Sequence, residues 1–98
     1  MNIQTLINGD LEMSATKKEQ KEIKKIGNLL STFKSERIFV AKFLEPLGYK
    51  RVIPEDIGAL TSCTCITDGK NVWGDMQYAV ASFLDTLADG GTVTWTKG

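Results

Sequence analysis

From Ile23 to Leu47 the apolar residues recur at helical spacing, but in two directions, and this limits the fold more than any other feature of the chain. At about 100° per residue, Ile23, Ile26, Leu30 and Phe33 centre on one line. Phe39, Val40, Phe43, Leu44 and Leu47 centre roughly 75° away from it. A straight amphipathic helix carries a single stripe. The pattern therefore predicts two helices, about 17–34 and 36–46, with a break near Lys34–Ser35–Glu36 and Ser35 as the cap of the second. Thr16 and Glu19 have the spacing of a capping box, in which each side chain satisfies a free backbone N–H of the other residue. Glu45–Pro46 and Gly48 end the second helix. Gly27 weakens the first by up to about 1 kcal/mol relative to Ala, or leaves room for close packing.

Beyond Gly48 the apolar period changes. Segments 49–53, 60–66, 71–73 and 92–96 read as strands. Asp68–Gly69 lies between two of them as a two-residue hairpin signal, because Gly tolerates the positive φ such turns need. Met76, Ala79, Val80, Phe83, Leu84 and Leu87 fill an arc of about 140°, which predicts a helix over 76–89 capped by Asp75 and stopped by Gly90–Gly91. Helices grouped first, with a hairpin later, give an α+β fold with a small, largely antiparallel sheet and one helix before the last strand. Residues 1–15 read as a leader, with flexibility left open, in which Asn2–Ile7 can form a short helical turn or a strand ended by Asn8–Gly9, and 16–98 read as a single globular domain.

The chain contains no histidine, which removes the commonest general base and zinc ligand. It has two cysteines, Cys63 and Cys65, too few for a disulfide scaffold. Two residues apart in a strand, they point the same way at the outer limit of disulfide reach. Zinc would need two further ligands that a single copy does not supply. Cysteine packs as a small apolar residue, so both are expected in the core. No catalytic residue, metal ligand or cofactor motif stands out, and a non-enzymatic protein is expected. No apolar run reaches the ~18 residues of a membrane span, and the N-terminus lacks a signal-peptide pattern. A cytoplasmic protein is the expectation.

Three surfaces are candidates for function. Closing the hairpin at Asp68–Gly69 pairs Cys65 with Val72 and Thr64 with Trp73. That puts Trp73 on the face opposite the cysteines, where it is expected to be exposed. On the following helix, Tyr78, Ser82 and Asp85 lie away from the apolar arc. An outward Trp–Tyr pair suits a partner anchor, so Trp73, Tyr78, Ser82 and Asp85 are the candidate partner-binding residues. Local packing of Trp73 on Tyr78 is the plain alternative. Lys17, Lys18, Lys21, Lys24 and Lys25 crowd one helix, and with Arg37 they form the candidate nucleic-acid surface. A solvated helix face is its plain alternative. Ile38 and Ala41, outside the arc of the second helix, leave monomer and homodimer both open.

Net charge is zero but uneven: residues 1–53 carry ten Lys/Arg against six Asp/Glu, and residues 54–98 carry two against six. Ordinary surface patterning is the plain reading of this split, and an electrically polar molecule that docks by one end is the sharper one. The expected function is a small protein–protein interaction module, an inhibitor or adaptor of a larger host enzyme, of the kind phages and mobile elements direct against host defences. The last part is a class-level analogy. Nucleic-acid binding through the lysine-rich helix is the alternative.

Overall fold

A computed structural model of the chain describes residues 1–27, 32–52, 64–75 and 82–98, with Thr32 and Phe33 described at the backbone only. Six strands form one antiparallel sheet: β1 (Asn2–Thr5), β2 (Leu11–Ser14), β3 (Lys50–Val52), β4 (Cys65–Thr67), β5 (Val72–Gly74) and β6 (Val93–Lys97), in spatial order β1-β2-β6-β5-β4-β3. The helices are α1 (Lys17–Gly27), α2 (Thr32–Phe39) and α3 (Phe83–Ala88). A π-helical turn (Val40–Leu44) and a 3-10 turn (Glu45–Leu47) continue α2. The architecture is α+β with an antiparallel sheet, as expected. The order differs, because a hairpin precedes the helices.

That hairpin takes up residues 2–14: of the two local forms open to Asn2–Ile7, a helical turn or a strand, β1 is the strand, and Asn8–Gly9 lie in the turn that follows it. Leu11 and Met13 are each 1 % exposed and pair with Trp95 and Val93 of β6. The strands are short and mostly polar, and only Ile3 of β1 and the inward Leu11 and Met13 of β2 carry the apolar signal. β6 lies at the centre, joining this hairpin to the β4–β5 hairpin.

Alternation sends Leu11, Met13, Val93, Trp95, Trp73 and Ile66 to one face, where they meet Ile23, Phe39, Leu44, Phe83, Leu84 and Leu87. A chain of rings ties the helices to the sheet. Phe39 lies 5.3 Å from Phe83, which lies 4.9 Å from Trp95. Such contacts combine large buried area with edge-on geometry.

No break occurs at Lys34–Ser35–Glu36: α2, described from Thr32 to Phe39, runs through all three residues, and α1 is described over Lys17–Gly27. Ser35 is therefore inside α2 and is not its cap. It is 2 % exposed, and its hydroxyl donates to the Ile26 carbonyl at 3.0 Å, tying α2 to the end of α1. The second helix stops where expected, at Gly48, whose φ of 96° favours glycine.

α3 is capped by Ser82, not by Asp75. The Ser82 oxygen accepts from the Leu84 N–H at 3.1 Å, and its own backbone is extended, with φ −63° and ψ 136°. A continuous helix over 76–89 is thereby ruled out. Asp75 is 3 % exposed and accepts from the Thr64 N–H at 2.7 Å.

The β4–β5 loop has four residues, not two. Thr67 pairs with Val72, Ile66 with Trp73 and Cys65 with Gly74. Side chains close it: Asp68 Oδ1 accepts from the N–H groups of Lys70 (2.9 Å) and Asn71 (2.8 Å), and Thr67 Oγ1 donates to the Asn71 carbonyl at 2.6 Å. Gly69 alone in this loop takes a positive φ, 100°, whereas a two-residue type I′ turn needs two such residues. The register differs from the expected one by two residues, so every side chain keeps its face.

Candidate functional site

Trp73 occupies the face assigned by alternation, but that face is the covered one. It is 4 % exposed, packs edge-on against Tyr49 at 5.9 Å, and donates from Nε1 to the Gly9 carbonyl at 2.8 Å. This corrects the expectation that it is an exposed anchor. The β1–β2 turn, which no local pattern around Trp73 signals, covers it. Tyr78 lies outside the described residues, as does Cys63. Ser82 is half-buried and engaged as a cap. Asp85 is exposed. Cys65 is buried, in line with the core reading. Among the described residues no group of side chains could hold a metal ion, and no helix is long and apolar enough to cross a membrane.

α1 holds the densest exposed charge. Its capping box forms in full: Glu19 accepts from the Thr16 N–H at 3.0 Å, and Thr16 Oγ1 accepts from the Glu19 N–H at 3.3 Å. Ile23 and Ile26 face the core, and Lys17, Lys18, Lys21, Lys24 and Lys25 are all exposed within an arc of about 120° on the opposite side. The acids of the helix are committed elsewhere. Glu19 binds the Met1 ammonium at 2.5 Å, and Glu22 faces Lys42 at 3.4 Å. Burial pushes the Glu19 carboxyl up, but the bonds from the Met1 ammonium and Thr16 outweigh it and hold the group below its usual range. The five lysines make no ion pair with any described residue. Arg37 is exposed on α2.

α1 packs against α3, and a groove of about 480 Å³ runs between them, lined by Ile23, Lys24, Gly27, Leu84, Asp85, Ala88 and Asp89. Ile23, Leu84 and Ala88 lie beneath it at 0 %, 2 % and 7 % exposure, so the surface it presents is mainly polar. Its rims carry opposite charges, Lys24 on α1 and the exposed Asp85 and Asp89 on α3, and no ion pair joins them. Sequence reasoning singled out Lys24 and Asp85 for separate surfaces. The pairing of α1 with α3 brings them to one site, and that pairing has no local signature. Asp89 and Gly27 were missed as site residues. The (i, i+4) spacing of Asp85 and Asp89 is the one signal that could have found the acidic rim.

A second polar cluster is structural in character. Glu36 on α2 accepts from the Thr64 hydroxyl, and Asp75 accepts from the Thr64 N–H. Burial raises the Glu36 carboxyl above its usual range, and the Thr64 bond and the charge of Arg51 offset this in part. These residues join α2, β3, β4 and β5. Elsewhere, Ile7 and Leu47 are large exposed apolar side chains, and scattered single ones are ordinary.

Comparison with protein-family models, curated proteins and solved structures finds no match for this chain.

Proposed function

We propose that the chain is a small non-enzymatic protein–protein interaction module, an inhibitor or adaptor, that docks a protein partner through the α1/α3 side. One observation supports this above the others: the α1/α3 groove has a lysine face on one rim and, on the other, two exposed aspartates that form no ion pair with any described residue. Opposite charges side by side suit a protein surface of complementary pattern, which sets orientation and suppresses wrong partners. The docking residues are Lys21, Lys24, Asp85 and Asp89, in place of the buried Trp73.

Nucleic-acid binding through Lys17, Lys18, Lys21, Lys24, Lys25 and Arg37 is the second reading. The commitment of Glu19 and Glu22 to other partners favours it, because it leaves the five lysines undiluted. The aspartates beside Lys24 oppose it, since an extended phosphate backbone would run past them. A gel shift with double- and single-stranded DNA and RNA at low salt separates the two. The protein-module reading gives no salt-sensitive complex. A complex whose affinity falls steeply with salt, and that is lost on Lys21→Glu/Lys24→Glu, supports the nucleic-acid reading instead.

A further inference from the structure

The two edges of the sheet are unlike. β3 forms one and β1 the other. An edge strand offers unpaired main-chain N–H and C=O groups, and proteins blunt such edges with Lys, Pro and other charged side chains. β3 follows that rule: it reads Lys50-Arg51-Val52, with Pro54 soon after in the sequence. β1 does not. Asn2-Ile3-Gln4-Thr5 carries no charged side chain and no proline, and Asn2, Gln4 and Thr5 are exposed. Among the described strands none lies on its outer side. β1 is also held ready as a strand, because Ile3 packs against the core and the Met1 ammonium binds Glu19 of α1.

The hairpin fixes which main-chain groups point outward. The Leu6 N–H donates to the Asp10 carbonyl at 2.8 Å. The register continues with Gln4 opposite Glu12 and Asn2 opposite Ser14. Bonded pairs alternate along an antiparallel ladder, so Asn2, Gln4 and Leu6 turn their main chain to β2, and Ile3 and Thr5 turn theirs outward. Such an edge is complementary to itself. Run antiparallel about a two-fold axis at Gln4, Ile3 of each copy exchanges both main-chain bonds with Thr5 of the other, and the two Gln4 residues face each other at the axis. The same register sets Ile7 of one copy opposite Met1 of the other. Ile7 is fully exposed, and Met1 is partly buried against the core. The pairing that joins the outward main-chain groups therefore also gives Ile7 an apolar neighbour.

We infer that β1 is an interface between two copies of this chain, which joins their sheets across a two-fold axis at Gln4. The contact is short, so the dimer is weak and its population depends on concentration. This surface does not use Lys21, Lys24, Asp85 or Asp89, and the docking reading stands or falls without it. The test is sedimentation equilibrium of the full chain from about 10 µM to about 1 mM, with amide hydrogen exchange at both ends of that range. The mass rises toward that of two chains, and the Ile3 and Thr5 amides gain protection with concentration. Thr5→Pro removes an outward donor and leaves the bonds to β2 intact, and it weakens the dimer at least about tenfold. Gln4→Lys places like charges at the axis and weakens it at least about tenfold, as does Gln4→Glu. The Lys and Glu variants dimerise again when mixed. Circular dichroism shows each variant folded, and the Gln4 variants carry the test if Thr5→Pro does not fold. The inference is overturned by a dimer unchanged in Gln4→Lys, by Lys and Glu variants that do not pair when mixed, or by a chain that stays monomeric up to about 1 mM, which would leave the β1 edge to a strand of another protein.

Discussion

Trp73 Nε1–H donates to the Gly9 carbonyl at 2.8 Å across a separation of 64 residues. The bond fastens the β1–β2 turn over the middle of the sheet, and two further contacts hold the same turn. The Lys97 N–H donates to Asp10 Oδ1 at 2.8 Å, and Gly9, at φ +91°, leaves room for the Lys97 side chain that crosses it. Trp95 is the contrasting case: it is fully buried, and its Nε1 has no hydrogen-bond partner among the described residues. Trp73→Phe keeps most of the ring but strands the Gly9 carbonyl, and should cost about 1–3 kcal/mol. In a domain of this size that lowers Tm by about 4–8 °C per kcal/mol. Trp95→Phe loses ring volume but also removes a buried donor that no described residue satisfies, so its loss should be the smaller. Chemical denaturation of both variants checks the order, and a larger loss for Trp95→Phe would count against it.

Ser35→Ala removes the hydroxyl that α2 offers to the Ile26 carbonyl. At 2 % exposure no water replaces it, so the expected loss is about 1–3 kcal/mol. A neutral substitution in urea denaturation would mean that the link between α1 and α2 rests on apolar packing alone.

Glu36 gives a pH dependence with a definite sign. Burial raises its folded-state pKa above the unfolded value, with the Thr64 bond and Arg51 offsetting part of the shift. A raised carboxyl contributes stability that is fully present below its unfolded pKa and is lost as pH rises through the folded one. At neutral pH the charged Glu36 is therefore a liability. Glu36→Gln, which still accepts from Thr64, should raise Tm at pH 7, and the gain should shrink as pH falls below the ordinary glutamate range. A Tm gain independent of pH would refute the assignment.

Local rules accounted for much of the fold. The Thr16–Glu19 box, the stop at Gly48 and the inward Val93 and Trp95 all follow from residues within a turn or strand of one another. The failures share a cause. The pleat assigns Trp73 to a face, but the remote helices and the β1–β2 turn decide that this face is covered. The Asp68 carboxylate and Thr67 hydroxyl enlarge a loop that the Asp-Gly dipeptide suggested was shorter. Ser35 and Ser82 are both good caps by type, and tertiary packing selected Ser82 for that role while burying Ser35. The groove was half legible: Lys24 and Asp85 stood out as charges, but their meeting depends on α1 packing against α3.

The docking claim is tested most directly by affinity capture from nuclease-treated extract of the cells that express the protein, with three baits run in parallel: wild type, Lys21→Glu/Lys24→Glu and Asp85→Lys/Asp89→Lys. The account predicts one stoichiometric protein partner on the wild type, greatly reduced on both charge reversals, while circular dichroism shows all three baits folded. A partner retained equally by both reversed baits, or a complex that nuclease abolishes, would contradict it.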